Sequence, residues 1–274
     1  MRKLLLLSSL PLTAVALALA CTKVPVTGRR QFNLIPDALM LPIGRSAYQS
    51  AISGLHLERD GTRHDQVTDV AAAITDVAGK DRYDWRTTVI DDPDTVNAWA
   101  VPSGHVAVYT GILPVCRSEA GLAFILGHEV GHVTARHGAE RMSQQLAVLG
   151  GLAGLYAWTE KRTELTEQQQ AVVLSAVGLG AEVGLVLPFS RKHEREADII
   201  GMMLMARAGY PPAEAVAIWD RMEAAGSGSH IPVFLSTHPS DEQRKENLRT
   251  WLPQARRRYE RNALDRDTTA QLWR

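Results

Sequence analysis

Two histidines four residues apart, with a glutamate directly after the first, form the segment His128-Glu129-Val130-Gly131-His132 inside a run of helical periodicity. On an α-helix, residues i and i+4 lie one turn apart on the same face, so both imidazoles can reach a single cation. Glu129 sits beside that face, close enough to take a proton from a water on such a cation. The segment therefore asks for a helix here and for another element that brings a third donor against it. Alone, the pattern arises by chance in on the order of one chain in a hundred of this length. The plain alternative is a pair of solvent-facing histidines on an amphipathic helix.

The third donor separates the possible sites. A continuation of the form H-x-x-G-x-x-H would need glycine at 135 and histidine at 138, where the chain has Ala135 and Gly138. If the helix continues, His137 points roughly opposite to His128, which makes it a poor ligand and a surface or capping residue. The better candidate is Glu194, in Ser190-Arg191-Lys192-His193-Glu194-Arg195-Glu196-Ala197-Asp198, where Glu194 and Asp198 share a helix face with Ala197 and Gly201. Those small residues, with Gly127, Gly131 and Ala135 on the first helix, allow a close approach, so that Glu194 completes three corners of a tetrahedron and leaves the fourth to water. Asp198 is placed to accept the outer N–H of His128. Glu196, on another face, reads as a solvated carboxylate. His56, His64, His105, His193 and His230 have no partner spacing and read as exposed or incidental.

The start of the chain follows an export pattern: Arg2 and Lys3, an apolar run from Leu4 to Leu19, then Ala20 and Cys21. Ala18-Leu19-Ala20 fits an ordinary secretory cleavage, whereas Leu17-Ala18-Leu19-Ala20-Cys21 resembles a bacterial lipobox with Cys21 as the acylated residue. The lipobox reading divides the chain into a signal peptide at 1–20, a lipidated tether at 21–36, a domain at 37–262 and a C-terminal tail at 263–274. It leaves Cys116 without a disulfide partner, as a small buried helical residue. It also places the protein at the periplasmic face of a membrane, outer rather than inner because Thr22 follows the cysteine.

Thr87–Ile90, 97–101 and Val106–Tyr109 are β-rich runs separated by turn signals, and the rest of the domain is helical in pattern. The expected fold is α+β and predominantly helical, with a small antiparallel sheet as one wall of a cleft. Apolar segments at 146–158 and 171–187 read as a buried or surface-lying hairpin; the first is too short to span a membrane, and the second carries three glycines and Glu182. Thirty basic and thirty acidic residues cancel, so no general pull toward nucleic acid exists; Arg256, Arg257, Arg258 and Arg261 read as a solvated helix face.

Val24-Pro25-Val26-Thr27-Gly28-Arg29-Arg30, Asn97-Ala98, the helix from His128 to His137, Ser190 through Asp198, and Thr237-His238-Pro239 with Arg244 together resemble the M48 family of gluzincin metallopeptidases, in particular its bacterial periplasmic lipoproteins. The resemblance runs from Cys21 to about Leu248. It implies one zinc ion held by His128, His132 and Glu194, with Glu129 as base. It implies that Asn97 and Ala98 lie on an edge strand that aligns a substrate backbone, and that His238 donates to the oxyanion across the cleft. Arg244 would support that charge as part of substrate binding, or pair with a site carboxylate, or form a structural salt bridge.

These readings converge on a zinc metalloendopeptidase acting on polypeptides, with misfolded or misassembled envelope proteins as implied substrates and envelope assembly machinery as an implied partner. A different class remains open: a chaperone-like or binding lipoprotein whose zinc site is latent, with His238 in the fourth position or the apolar hairpin over the cleft. A structural lipoprotein with coincidental motifs would hold no stoichiometric zinc.

Overall fold

The described residues of this computed structural model are 21–79, 82–162, 166–168, 187–226, 232–239, 242–264 and 267–273. The chain opens with a hairpin of β1 (Cys21–Lys23) and β2 (Arg30–Phe32), followed by α1 (Asp37–Ile52), β3 (Leu57–Glu58) and α2 (Thr62–Ala78). Three strands come next, β4 (Arg86–Ile90), β5 (Ala98–Ala100) and β6 (His105–Tyr109). After a 3-10 turn at Thr110–Ile112 the chain is helical: α3 (Leu113–Cys116), α4 (Glu119–Thr134), α5 (His137–Arg162), α6 (Leu187–Arg207), α7 (Glu214–Gly226), α8 (Val233–Thr237) and α9 (Glu242–Tyr259).

The architecture is the expected α+β, mostly helical with one small main sheet. Its strand order is β3-β4-β6-β5, and the edge pairs β3–β4 and β5–β6 are antiparallel. The central pair β4–β6 is parallel, because the β5–β6 hairpin folds back so that β6, not β5, lies against β4. This arrangement leaves β5 on the outer edge, facing the helix that carries the histidines.

α4 is apolar on all sides rather than on one stripe, and such a helix must be buried. Every residue from Ala120 to Gly131 is buried. Ser118 caps its start, accepting from the Gly121 N–H at 3.2 Å. α4 runs through a core built from Val70 and Ile74 of α2, Val89 and Val108 of the sheet, Met202 and Met205 of α6 and Trp219 of α7. At the crossing of α4 and α6 the backbones touch: a Cβ on Gly127 would lie 2.8 Å from Gly201 O, and one on Gly201 would lie 2.7 Å from His128 N. Only glycine permits this approach, and it brings the facing side chains of the two helices into one site.

Two expectations about the chain's ends change. The segment expected as a tether, 21–36, is folded onto the domain, with Val24 in the core and Arg29 reaching the polar groups behind the site. The segment expected as a tail is also seated: Leu272 N–H donates to Arg117 O at 2.7 Å, Ala120 N–H donates to Thr268 O at 3.0 Å, and Trp273 is buried. Of the segments expected as an apolar hairpin, the first lies on α5 with Leu146, Leu149, Tyr156 and Trp158 exposed, and nearly all of the second lies outside the described residues, as does the segment 1–20 expected as a signal peptide. Among the described residues no helix is long and apolar enough to cross a membrane. Cys116 is buried at the end of α3, where burial pushes its thiol up to about 12, and Arg256, Arg257, Arg258 and Arg261 are exposed.

Candidate metal centre and active site

His128 and His132 project from one face of α4, and Glu194 of α6 meets them. His128 Nε2 and His132 Nε2 are 3.1 Å apart; Glu194 places Oε2 3.4 Å from the first and Oε1 3.4 Å from the second. His238, just past α8, brings Nδ1 to 3.2 Å from His128 Nε2 and 2.8 Å from Glu194 Oε2. These four side chains are able to hold one metal ion.

The donor set fits zinc. Bonds of about 2.0–2.1 Å at tetrahedral angles put ligand atoms roughly 3.3 Å apart, close to the separations found here. The outer nitrogens of both histidines are engaged, His128 Nδ1 with Asp198 Oδ1 at 2.9 Å and His132 Nδ1 with His137 Nδ1 at 2.9 Å. Asp198 is acceptor-only when ionised, so His128 in its neutral form carries its proton on Nδ1 and turns its Nε2 lone pair inward. If His132 does the same, two lone pairs converge on one point in a buried site, an arrangement that a cation satisfies.

Electrostatics follow burial and neighbours. Burial alone would raise the Glu194 carboxyl, but His132, His128 and His238 together hold it well below the ordinary carboxylate range. Burial works against charge on His128, yet Asp198 and Glu194 outweigh it and lift the imidazole to about 9. His132 is held well below its ordinary value, chiefly by burial. Burial likewise pushes the Glu129 carboxyl up, against the pull of nearby His238 and His128. Glu129 accepts the Ala100 N–H on Oε2 at 3.2 Å, and its Oε1 lies 3.3 Å from His238 Nε2.

The site opens into a cleft of about 430 Å³, whose walls include Met40, Ile43, Trp99, Ala100 and Met142. In the β5–β6 hairpin, Tyr109 N–H donates to Asn97 O and Val101 N–H to His105 O. Antiparallel alternation then makes Trp99 the paired residue between them and turns the N–H and C=O of Ala98 and Ala100 outward. Asn97 and Ala98, expected to align a substrate, do not line the cleft. Ala98 is fully buried, and α8 covers the first part of the edge through the Phe234 N–H to Val96 O bond at 3.1 Å. Trp99 and Ala100 line the cleft instead.

Arg244 also moves from its provisional place in substrate binding. Its guanidinium is buried, makes a two-pronged bond to Asp198 (Nε to Oδ2 2.7 Å, Nη2 to Oδ1 2.8 Å), donates to Pro239 O at 2.9 Å, and lies 4.0 Å over the Trp219 ring. It is the clamp on a site carboxylate, the second of the roles its sequence position allowed.

Sequence reasoning missed a group behind His132. α4 ends at Thr134, and Arg136 takes φ +57, so the helix does not continue and His137 swings back toward His132 instead of pointing away. His137 Nε2 then meets Glu196 Oε2 at 3.1 Å, and Glu196 is buried rather than solvated. His193, expected as exposed, is buried with Nε2 2.9 Å from Glu140 Oε2 and its ring stacked on His137 at 4.3 Å. His105 is buried too, 2.8 Å from Ser103 Oγ and packed on Tyr48. The one available signal was the i, i+3 spacing of His193 and Glu196, which puts both on a single face of α6.

A family model described as Peptidase family M48 matches residues 58–252, well over half of the chain. The chain belongs to peptidase family M48. It is a zinc metalloprotease of that family, acting on polypeptides. Mitochondrial metalloendopeptidase OMA1 of Schizosaccharomyces pombe is 36% identical over 253 residues, 91% of this chain and 72% of its own length. Metalloendopeptidase OMA1, mitochondrial, of Homo sapiens is 31% identical over 243 residues, 84% of this chain and 46% of its own. Beta-barrel assembly-enhancing protease of Escherichia coli is 28% identical over 169 residues, 60% of this chain and 34% of its own. These M48 relatives correct the expected location at the periplasmic face of an outer membrane, and the bacterial lipoprotein subgroup with it: four relatives that match 84–91% of the chain are mitochondrial proteases.

Proposed function

We propose that the chain is an endopeptidase that cleaves an extended polypeptide laid against the Trp99–Ala100 end of β5, with Glu129 as general base and zinc on His128, His132 and Glu194. The observation that carries this reading is the Ala100 N–H to Glu129 Oε2 bond, which fixes the base beside the open edge of the sheet. When bound, zinc supplies the Lewis acidity that activates water and polarises a peptide carbonyl. Glu129 takes the proton from the attacking water and returns it to the leaving amine, and its burial brings the carboxyl nearer to working pH for both transfers. With Ala98 buried and the Ala100 N–H held by Glu129, the outward Ala100 C=O is the edge group that accepts a main-chain hydrogen bond from the extended substrate. Met40, Ile43 and Met142 receive an apolar side chain and exclude water. His238, facing Glu129, offers an N–H where negative charge grows on the carbonyl oxygen.

A second reading is favoured by one distance. His238 Nδ1 lies as close to the ligand atoms as they lie to one another, so His238 can occupy the fourth position and keep the site latent. Under that reading His238→Ala raises peptidase activity; under the first it lowers kcat by about 10²–10³.

The physiological task we propose is removal of misfolded or misassembled proteins. It is supported by the name of one relative, the β-barrel assembly-enhancing protease, and by the apolar cleft. Acylation of Cys21, proposed from the residues before it, is tested by the intact mass of the mature protein. The decisive experiment measures zinc content and casein cleavage together in wild type, Glu129→Gln and Glu194→Ala. Glu129→Gln keeps zinc and loses cleavage, and Glu194→Ala loses both; cleavage retained by Glu129→Gln overturns the assignment of the base.

A further inference from the structure

A buried polar cluster lies behind His132, on the side away from Glu194, and one of its members comes from the N-terminal hairpin. Arg29 donates from Nη1 and Nη2 to the two oxygens of Glu140 at 2.8 and 2.6 Å, and from Nε to Glu196 Oε2 at 2.8 Å. Thr27 Oγ1 donates to the other oxygen of Glu196. Glu196 in turn meets His137 Nε2, and His137 Nδ1 meets His132 Nδ1.

The direction of each bond in this chain is set by chemistry. A guanidinium and a hydroxyl facing a carboxylate leave Glu196 as acceptor, so His137 carries its proton on Nε2 and donates it to Glu196. The bare Nδ1 of His137 must then accept, and the only proton available between it and His132 Nδ1 is the one on His132. That tautomer turns the Nε2 lone pair of His132 toward Glu194 and His128. His128 is held directly by Asp198 and Arg244, whereas His132 reaches its carboxylate, Glu196, and its arginine, Arg29, through His137.

We propose that Arg29 is a positioning residue of the metal site: from the N-terminal hairpin it fixes Glu196, which orients His137 and through it the ring and tautomer of His132. The hairpin is built to hold the guanidinium there. Val24 is anchored in the core, its N–H donates to Arg29 O at 2.8 Å, and the intervening turn uses positive φ at Val26 and Gly28. The segment ahead of the peptidase domain is thereby part of the apparatus that grips the ion, although it touches neither ion nor substrate. This inference rests on the reading that His128, His132 and Glu194 hold zinc.

The test measures zinc affinity by competition with a chromogenic chelator in the inactive Glu129→Gln background, so that catalysis does not enter. Arg29→Ala is expected to weaken zinc binding about 10–100-fold, and Arg29→Lys to restore part of it. His137→Phe, which keeps the stack on His193 but cuts the route to His132, is expected to weaken binding by a similar factor. Combining Arg29→Ala with His137→Phe adds little further loss, because both act through one path. Affinity unchanged in Arg29→Ala, or losses that multiply in the double variant, overturns the proposal while leaving the zinc site standing. If Arg29→Ala does not fold, the same cycle is run with Arg29→Lys. Absence of stoichiometric zinc in the Glu129→Gln parent would remove the zinc reading and this proposal with it.

Discussion

Asp198 Oδ1 lies 2.9 Å from His128 Nδ1 while both oxygens of the same carboxylate are clamped by Arg244. Burial would raise this carboxyl, and Arg244 outweighs it, so Asp198 stays ionised and fixes the His128 tautomer. Asp198→Asn is expected to lower zinc affinity by about 10–100-fold with little change in the folded core. Chelator competition measures the affinity, and circular dichroism checks the fold. Arg244→Ala leaves a buried carboxylate unpaired and is expected to reduce stability by roughly 3–5 kcal/mol, read as a lowered urea midpoint.

The crossing of α4 and α6 gives a second prediction. A methyl at position 201 would press on the backbone of His128 itself. Gly201→Ala is expected to reduce stability by about 1–3 kcal/mol through overpacking and to weaken zinc binding. Gly154→Ala, whose Cβ would meet nothing, is the control with no loss.

The Ala100 N–H offers a third. Ala100→Pro removes the donor to Glu129 at an edge position that tolerates proline. Loss of a hydrogen bond to a charged group is worth roughly 1.5–3 kcal/mol, so kcat/KM is expected to fall by about tenfold or more while zinc content stays at one per chain. Steady-state kinetics on a peptide substrate with metal analysis decides this.

Acid should weaken the metal-free protein over two overlapping pH windows. His137 is held at about 4, mainly by burial, so its contribution is present above 6.5 and declines as pH falls toward 4. Glu140 and Glu196 would be raised by burial, but hydrogen bonds from Arg29 and from His193 or His137 carry both down to about 2. Their stabilisation is complete above about 4.5 and is lost between there and 2. Urea midpoints across pH 7 to 3 should drop progressively, and Glu196→Gln should flatten the lower part of the curve.

Local pattern carried much of this site. The i, i+4 pair on α4 and the Glu194–Asp198 pair on α6 were readable because helical spacing alone places each on a face, and the small residues at 127, 131, 197 and 201 told of a close crossing. What was not readable came from departures from regularity. The left-handed residue at Arg136 reversed the direction of His137, and no propensity marks an arginine for that conformation. The burial of Glu196 depended on a partner more than one hundred and fifty positions earlier in the chain, in a segment whose proline, glycine and turn residues read as a tether. The parallel pairing of β4 and β6 likewise depended on which strand the hairpin presents to its neighbour, a choice that alternation within each strand does not encode.

Because the main chains of α4 and α6 are in direct contact at Gly127 and Gly201, the spacing between the two helices is set by glycine rather than by adjustable side chains. Neither helix has room to slide inward, and parting them would open the core. The donor atoms are thus mounted on a rigid joint, so chelation should strip the ion without remodelling its seat, and amide exchange along this crossing should remain slow in the stripped protein.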